Sequence, residues 1–171
     1  MVQARMDDRI AITVKDHVAD VRLVRSDKMN ALDKKMFKAI EAAGKQLAAD
    51  PEVRVVVLSG EGRAFCAGLD MGNFEDMASG TGDGGDQSDK SANQLETRTH
   101  GIANGPQHAA WVWRELPVPV IAAVHGVALG GGFQVALGAD IRYAAPGTRM
   151  SVMEIKWGLV PDMAGTQLMR H

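Results

Sequence analysis

Apolar and polar residues follow distinct spacings along this chain of 171 residues, and each spacing predicts one kind of element. Apolar residues alternate with others on both sides of a short polar turn, which predicts a β-hairpin over residues 10–24. Asp33 is suited to cap a helix, and apolar residues then recur at helical spacing as far as Leu47. Unbroken apolar runs at 53–59 and 118–127 predict two buried strands.

Each of these buried-strand runs leads into a turn that contains glycine. Glycines recur over 60–68 after the first run, and they fill positions 130–132 after the second, ahead of a predicted helix over 133–137. Glycine permits positive φ and a close approach to the backbone, and the first N–H groups of a helix have no partner within it. The second turn alone fits a packing turn as well as an anion site. Two such turns could bring two N–H groups together, as an oxyanion hole requires.

The remaining elements repeat the same order. Residues 105–106 are predicted to break the chain ahead of a short amphipathic helix through 109–116. Strands are predicted at 139–145 and 149–152, and a last helix is predicted to begin at Ala164. The order of strand, glycine turn and helix indicates stacked ββα units in an α/β fold. A dinucleotide-binding fold is disfavoured because no G-x-G-x-x-G motif follows the first strand.

Composition and charge narrow the function classes. An apolar content of 46% and a charged content of 23% are typical of a soluble globular protein of one domain. A net charge of −2 gives no bulk attraction to nucleic acid or to anionic lipid, and no apolar run is long enough to span a bilayer. We therefore expect no nucleic-acid partner and no membrane association.

Two local features refine this picture. The single cysteine, Cys66, and an N-terminus without a hydrophobic signal segment indicate a reducing cytoplasm. The surroundings of Cys66 favour a small core residue over a nucleophile. Residues 72–89 are rich in glycine and aspartate and contain no lysine or arginine, which predicts a flexible, solvated loop. This loop lacks calcium-loop spacing, and we expect no metal site.

Three segments resemble the crotonase superfamily of enoyl-CoA hydratases and isomerases. They are GRAFCAGLDM at 62–71, PVPVIAAVHGVALGGGFQVALGADIRYA at 117–144 and MEIKWGLVPDMAGTQLMR at 153–170, and RSDKMNALD at 25–33 also fits. The motifs match in order and spacing over nearly the whole chain. The resemblance implies an α/β crotonase-like spiral of repeated ββα units. Residues 1–171 would be its N-terminal core domain, without the C-terminal helical region usual in the family.

The resemblance also implies the ligand and the assembly. The substrate would be an acyl-CoA thioester, with coenzyme A as part of the substrate and no prosthetic group. A full-length chain would form a homotrimer or hexamer. The backbone of Ala64, Ala67, Leu69 and Asp70 would line the coenzyme A site, and two basic residues of the polar loop, Arg25 and Lys28, could meet its phosphates.

The catalytic residues implied by the resemblance comprise two amides and up to three side chains. The amides of Ala67 and Gly131 would hold the thioester oxygen, where charge collects as an enolate forms. Glu154 matches one of the two glutamates of the hydratases, and Gln134 stands where the other is found. An amide cannot act as a base at neutral pH. Asp162 falls where dienoyl-CoA isomerases carry an aspartate, although it could equally cap the last helix.

These residues favour isomerisation of an unsaturated acyl-CoA, with Glu154 moving one proton between the α and γ carbons. One alternative is a hydratase, in which Gln134 orients water and Glu154 performs both proton transfers. The alternative from another class is a binder of acyl-CoA, or a scaffold, without catalysis.

Overall fold

The computed structural model describes residues 2–70, 72 and 98–170, and within them two sheets organise the chain. The larger sheet has the order β1 (Val2–Met6), β2 (Ile10–Lys15), β3 (Val18–Leu23), β4 (Val55–Gly60), β5 (Val120–Val124), β7 (Ile141–Ala144). The smaller sheet pairs β6 (Val127–Leu129) with β8 (Arg149–Ser151). The α-helices of the described residues are α1 (Lys34–Ala48), α2 (Gly105–Trp111), α3 (Gly131–Leu137) and α4 (Gly165–Leu168). The loop predicted over 72–89 lies outside the described residues except for Gly72.

Two consecutive ββα units form the second half of the described chain, β5–β6–α3 and β7–β8–α4. The first strand of each unit lies in the larger sheet, where β5 and β7 pair in parallel. The second strand of each lies in the smaller sheet, where β6 and β8 also pair in parallel. An isolated parallel bridge between Cys66 and Ala128 adds the segment after β4 to this smaller sheet. The repeated units predicted from the order of strands and helices are therefore present.

The predicted β-hairpin over residues 10–24 is confirmed as the antiparallel pair β2–β3. Lys15 pairs with Val18, so Asp16 and His17 alone form the turn. Both turn residues have positive φ, of 49° and 66°. Two positive φ values in a two-residue turn match the right-handed twist of the flanking strands.

Helix α1 begins where the sequence predicts, and the Asp33 side chain accepts a hydrogen bond from the Met36 N–H at 2.7 Å. One face of this helix is buried against the larger sheet, as the helical spacing predicts. Asp33 also pairs with Arg9 at 2.7 Å and with Arg25 at 3.4 Å. One carboxylate therefore joins the helix start to two separate loops.

Two predicted boundaries are wrong for identifiable reasons. The apolar run at 118–127 is not one strand, because Gly126 has a φ of 62° and separates β5 from β6. Residues 105–106 do not break the chain before α2; they begin it. Asn104 caps this helix, its side chain accepting from the Gln107 N–H while the Gln107 side chain accepts from the Asn104 N–H. Proline is compatible with the first helical turn, which needs no N–H donor.

No helix among the described residues has both the length and the apolar character that crossing a bilayer requires.

The substitution Asp33→Asn removes the charge of the Asp33 side chain but keeps its role as a helix cap, since asparagine caps a helix equally well. Partial burial would raise the pKa of Asp33, but the hydrogen bonds from Arg9 and Met36 outweigh it and hold that pKa below its usual value. The charged form therefore stabilises the fold above about pH 4, and this contribution disappears as the pH falls towards the folded-state pKa.

We expect the free energy of unfolding of Asp33→Asn to be about 1 kcal/mol below wild type at pH 7, with the difference shrinking below about pH 4. Urea unfolding between pH 7 and 3 measures it. Asp16→Asn, at an exposed turn position, is the matched control. A difference that stays constant down to pH 3 would contradict the assignment.

Candidate active site

The site is built where two stretches of backbone, residues 63–68 and 125–132, lie against each other. The Leu129 N–H donates to the Cys66 carbonyl at 3.1 Å, and the N–H groups of Phe65 and Cys66 donate to the carbonyls of His125 and Val127. A Cβ on Gly68 would lie 2.6 Å from the Leu129 carbonyl oxygen, and Gly68 has a φ of 94°. Glycine is therefore required there for both space and backbone conformation.

The structure corrects one of the two predicted oxyanion donors. The Ala67 N–H donates to the Met29 carbonyl at 2.9 Å, so it points into the protein and is not available to a ligand. Two residues along the chain, the Leu69 N–H has no acceptor among the described residues, and the same holds for the Gly131 N–H. A Cβ on Gly68 would lie 3.6 Å from the Gly131 nitrogen, so the two turns bring these amides close together. The available pair is therefore Leu69 and Gly131.

Gln134 and Glu154 are in direct contact, as their positions in the motifs suggest. Gln134 is fully buried on α3, and its Nε2 donates to Glu154 Oε1 at 2.6 Å. The Gln134 Oε1 accepts from the Gly165 N–H at 2.9 Å, at the start of α4. A Cβ on Gly165 would lie 2.6 Å from that oxygen, which leaves no space for a side chain. Gln134 thus ties the last two helices together and fixes the orientation of Glu154.

The other carboxylate oxygen of Glu154 is buried and has no hydrogen-bond partner among the described residues. Glu154 lies in a 3-10 helix over Met153–Trp157 that follows β8. Its carboxylate packs over the glycine turn, since a Cβ on Gly130 would lie 3.3 Å from its Oε1. The Glu154 carboxylate, which has one oxygen hydrogen-bonded and the other without a partner, therefore lies beside Gly130. The next residue, Gly131, carries the N–H that has no acceptor among the described residues. Such an arrangement can accept a proton from a group seated at that amide.

Asp162 is exposed, and its carboxylate forms no hydrogen bond or ion pair among the described residues. The alternative that it caps the last helix is wrong. Helix α4 is capped by Ala164 in the left-handed conformation, without a side-chain hydrogen bond. The neighbouring Met163 packs close to Gly131.

The residues predicted to line the coenzyme A site differ in exposure. Ala64 is fully buried and Ala67 half-buried, whereas Leu69 is 37% exposed. Lys28 is exposed, in a 3-10 helix over Ser26–Lys28. The guanidinium of Arg25 is engaged within the protein, since it pairs with Asp70 at 2.6 Å and donates to the Ala31 carbonyl. Of the two predicted basic residues, Lys28 is thus the one presented to solvent.

Asp70 is held as a charged partner of this arginine. Partial burial would raise the pKa of Asp70, but the Gly72 amide and the Arg25 guanidinium outweigh it and lower that pKa below its usual value. The charged pair joins the first glycine turn to the loop that precedes α1.

Asn30 is a buried residue of this site whose role the sequence reasoning missed. It is fully buried with a φ of 56°, and its Nδ2 lies 2.9–3.1 Å from the carbonyl oxygens of three residues of the first glycine turn, Glu61, Ala64 and Phe65. Its Oδ1 accepts from the Arg25 N–H at 2.9 Å. Asparagine tolerates the left-handed conformation, which was the available signal. Asn30 thus fixes the turn that carries Leu69.

Cys66 has the structural role that its surroundings predict. It is fully buried, and its thiol donates to the Asn30 carbonyl at 3.0 Å. Burial raises the pKa of Cys66 to about 12. The nucleophilic thiolate is therefore not formed at neutral pH.

Comparison with known proteins identifies the family. The profile of the Enoyl-CoA hydratase/isomerase family matches residues 13–171, and the chain belongs to this family. It is 31% identical over 158 residues to the "Probable enoyl-CoA hydratase" of Bacillus subtilis (strain 168), which covers 92% of this chain and 55% of that protein. It is 32% identical over 156 residues to the mitochondrial Delta(3,5)-Delta(2,4)-dienoyl-CoA isomerase of Homo sapiens, covering 91% of this chain and 45% of that protein.

Solved structures agree with this assignment. The crystal structure of an enoyl-CoA hydratase from Bacillus anthracis superposes with a TM-score of 0.74 at 27% identity, covering 94% of this chain and 57% of that one. The predicted α/β crotonase-like fold is thereby confirmed. The chain spans about half the length of the curated relatives it matches.

Asn30→Asp tests the role of Asn30 in holding the first glycine turn. The substitution keeps the size of the side chain but removes its N–H donors and places a charge in a fully buried position facing carbonyl oxygens. We expect the free energy of unfolding to fall by about 3 kcal/mol or more. Urea unfolding followed by circular dichroism measures it. Lys28→Gln changes the net charge by the same amount at an exposed position of the same loop, and it should differ from wild type by under about 0.5 kcal/mol. Equal stability of the two variants would contradict this role.

Proposed function

We propose that the protein isomerises the double bond of an unsaturated acyl-CoA, with Glu154 as the single base. The Leu69 and Gly131 amides stabilise the thioester oxygen as charge develops on it. Enzymes of this family act on CoA thioesters without a prosthetic group, and the chemistry requires only a carboxylate and two fixed donors.

The hydrogen bond between Gln134 and Glu154 is the observation that carries the proposal. Hydration with two glutamates requires two ionisable groups facing one water, and here one of them is a neutral amide. The Gln134 side chain is fully buried, and both its amide nitrogen and its oxygen are bonded within the protein. Gln134 is therefore suited to hold Glu154 in place, which leaves the unpartnered Oε2 of Glu154 as the site of proton transfer.

The reaction can be written with this one carboxylate. With a 3-enoyl thioester, Glu154 takes a proton from the α carbon, and the electron pair of that C–H bond moves towards the thioester oxygen. The negative charge is stabilised by the two N–H donors, which interact more strongly with the enolate than with the substrate. The same carboxyl group then returns the proton to the γ carbon, and the double bond moves into conjugation with the thioester. No water is consumed.

The remaining properties are proposals that rest on the family. The coenzyme A moiety would lie along the backbone of residues 64–70, with its phosphates near the exposed Lys28. Arg25 would act indirectly, by holding Asp70 in the same turn. Asp162 would serve as a second carboxylate only if the substrate or further protein segments bring it to the site. A homotrimer or hexamer follows the same reasoning, whereas a cytoplasmic location rests on the single cysteine, Cys66.

The direct test incubates the full-length protein with 2-enoyl-CoA and 3-enoyl-CoA esters of several lengths and analyses the products by chromatography and mass spectrometry. Isomerisation changes the retention time without a change of mass, whereas hydration adds the mass of one water. We expect the first result. A product heavier by one water would mean that the protein is a hydratase in which Gln134 does not prevent hydration.

Glu154→Gln should lower the isomerisation rate by about 10²–10⁴, because general base catalysis is lost while the side chain keeps its size. Steady-state kinetics with a 3-enoyl-CoA substrate measures the loss, and binding of the product CoA ester should be retained. Glu61→Gln, at an exposed glutamate of the first glycine turn, is the control and should be active. CoA-ester binding without turnover in wild type would instead favour the binding or scaffold role.

Gln134→Glu places a second carboxylate at the position of the amide nitrogen, 2.6 Å from Glu154 Oε1. Two carboxylates this close share one proton, so the pair gains both an acid and a base. We expect slower isomerisation and the appearance of a product heavier by one water. Gln134→Met, which has similar volume but no ionisable group, should lose isomerisation without this product. Unchanged isomerisation in Gln134→Glu would contradict the role given to Gln134.

A further inference from the structure

Away from the residues of the candidate active site, Glu41, His100 and His108 bring one carboxylate and two imidazoles together. One potential ligand atom of each lies within 4.8 Å of the others. Glu41 is on α1, His108 is on α2, and His100 lies in the segment before α2. The two imidazole rings are stacked, with centroids 4.4 Å apart and an angle of 19° between the ring planes, so one ring has to turn before the in-plane lone pairs of both can meet at one ion.

Close packing of α1 on α2 places these side chains together. Gly44 faces Val112, just beyond the end of α2, and a Cβ at position 44 would overlap the valine side chain. The helices can approach because glycine has no side chain. Glu41 lies one turn before Gly44, and His108 lies one turn before Val112. The two side chains therefore meet as a consequence of how the helices pack, and not through a chance contact of surface loops.

His108 carries an unused lone pair in this cluster. Its side chain is only 7% exposed, and its Nε2 lies 3.1 Å from the Glu115 Oε2. A carboxylate only accepts hydrogen bonds, so Nε2 carries a hydrogen, and in the neutral ring Nδ1 is left with a lone pair. That Nδ1 is buried and has no hydrogen-bond partner among the described residues. A histidine whose one nitrogen donates to a carboxylate is arranged like the histidine ligands of metals.

His100 and Glu41 can complete the ligand set. His100 Nε2 lies 3.0 Å from Glu41 Oε1, and His100 Nδ1 lies 2.8 Å from the Thr99 hydroxyl. A hydroxyl can donate or accept, so the hydrogen of His100 can move to Nδ1 and leave Nε2 free to coordinate. Glu41 also pairs with Lys45, which is 67% exposed and can move away.

We propose that Glu41, His100 and His108 form a binding site for a divalent transition-metal ion such as Zn²⁺. Two imidazoles and a carboxylate suit Zn²⁺, whereas Mg²⁺ and Ca²⁺ take oxygen ligands. Glu115 would hold His108 in the tautomer that coordinates. His100 and His108 line an open groove of about 450 Å³, whose lining also includes Thr99, Gly101 and Leu116 but neither Glu154 nor Gln134. A fourth position on the ion would face this groove and accept water or a small ligand.

The test measures Zn²⁺ binding to the chelator-treated chain by isothermal titration calorimetry. We expect one equivalent of Zn²⁺ per chain and a raised melting temperature. Glu41→Gln and His100→Gln should each weaken binding by about a hundredfold or more, and Glu115→Gln by about 10–100-fold. His17→Gln removes an exposed histidine that also lies near a carboxylate, Glu52, and should bind Zn²⁺ like wild type.

Binding that is absent in wild type, or that survives both Glu41→Gln and His100→Gln, would overturn the proposal. Circular dichroism checks that each variant is folded. A second measurement does not depend on the variants. The Co²⁺-loaded wild-type chain should give two exchangeable, paramagnetically shifted imidazole N–H signals in its proton NMR spectrum, one from each coordinated histidine. Any other number would reject this ligand set. Because the groove excludes Glu154 and Gln134, this outcome is independent of the acyl-CoA activity.

Discussion

Contact of backbone on backbone between residues 63–68 and 125–132 is the constraint on which the candidate active site depends. At three positions on this contact, an added Cβ would meet a carbonyl oxygen of the opposite stretch: Gly68, Gly126 and Gly132. The glycines therefore do more than permit turns, since they set the distance between the segment that follows β4 and the segment that leads from β5 through β6 into α3. The Leu69 and Gly131 amides, which have no acceptor among the described residues, end up close together because no side chain separates the two stretches. A site of this kind is rigid, because its donors belong to the backbone and are fixed on both sides by hydrogen bonds.

Two buried amide side chains, those of Asn30 and Gln134, hold parts of the site that backbone hydrogen bonds alone do not position. An amide offers a donor and an acceptor without a charge, so it can be buried at much lower cost than a carboxylate. Asn30 uses this property to fix the first glycine turn, and Gln134 uses it to connect α3, α4 and Glu154. At position 134 the same property has a chemical consequence. A residue that is neutral at every physiological pH can orient the carboxylate but cannot take a proton from a substrate, which is why we propose that Glu154 performs both proton transfers.

The sequence predicts most of the fold but only part of the site, and the difference has a physical origin. The hairpin over 10–24 and the buried face of α1 follow from the local spacing of apolar residues, and the structure contains both. The order of strands, turns and helices was likewise sufficient for the ββα units. The choice of Ala67 as a donor was wrong because its N–H is taken by Met29, a residue 38 positions earlier in sequence, and no local pattern reports such a bond. The start of α2 was missed because Gly105 and Pro106 indicate a break unless the capping role of Asn104 is recognised.

Three buried side-chain atoms have no hydrogen-bond partner in the described part of the chain, and the reason differs between a donor in the core and two acceptors at the candidate sites. They belong to Glu154, His108 and Trp113. The Trp113 Nε1 can only donate, and this side chain is fully enclosed by the core, so its unmet bond is a cost of packing a large ring. Glu154 Oε2 and His108 Nδ1 are acceptors, each on a side chain whose other polar atom is already held in place. When one polar atom of a side chain is held by a hydrogen bond and the other has no partner, the lone pair of the second atom points in a fixed direction. Since an unmet buried acceptor costs about 1–3 kcal/mol, each of these two atoms would gain from a partner: the proton taken from the substrate at Glu154, and the proposed metal ion at His108.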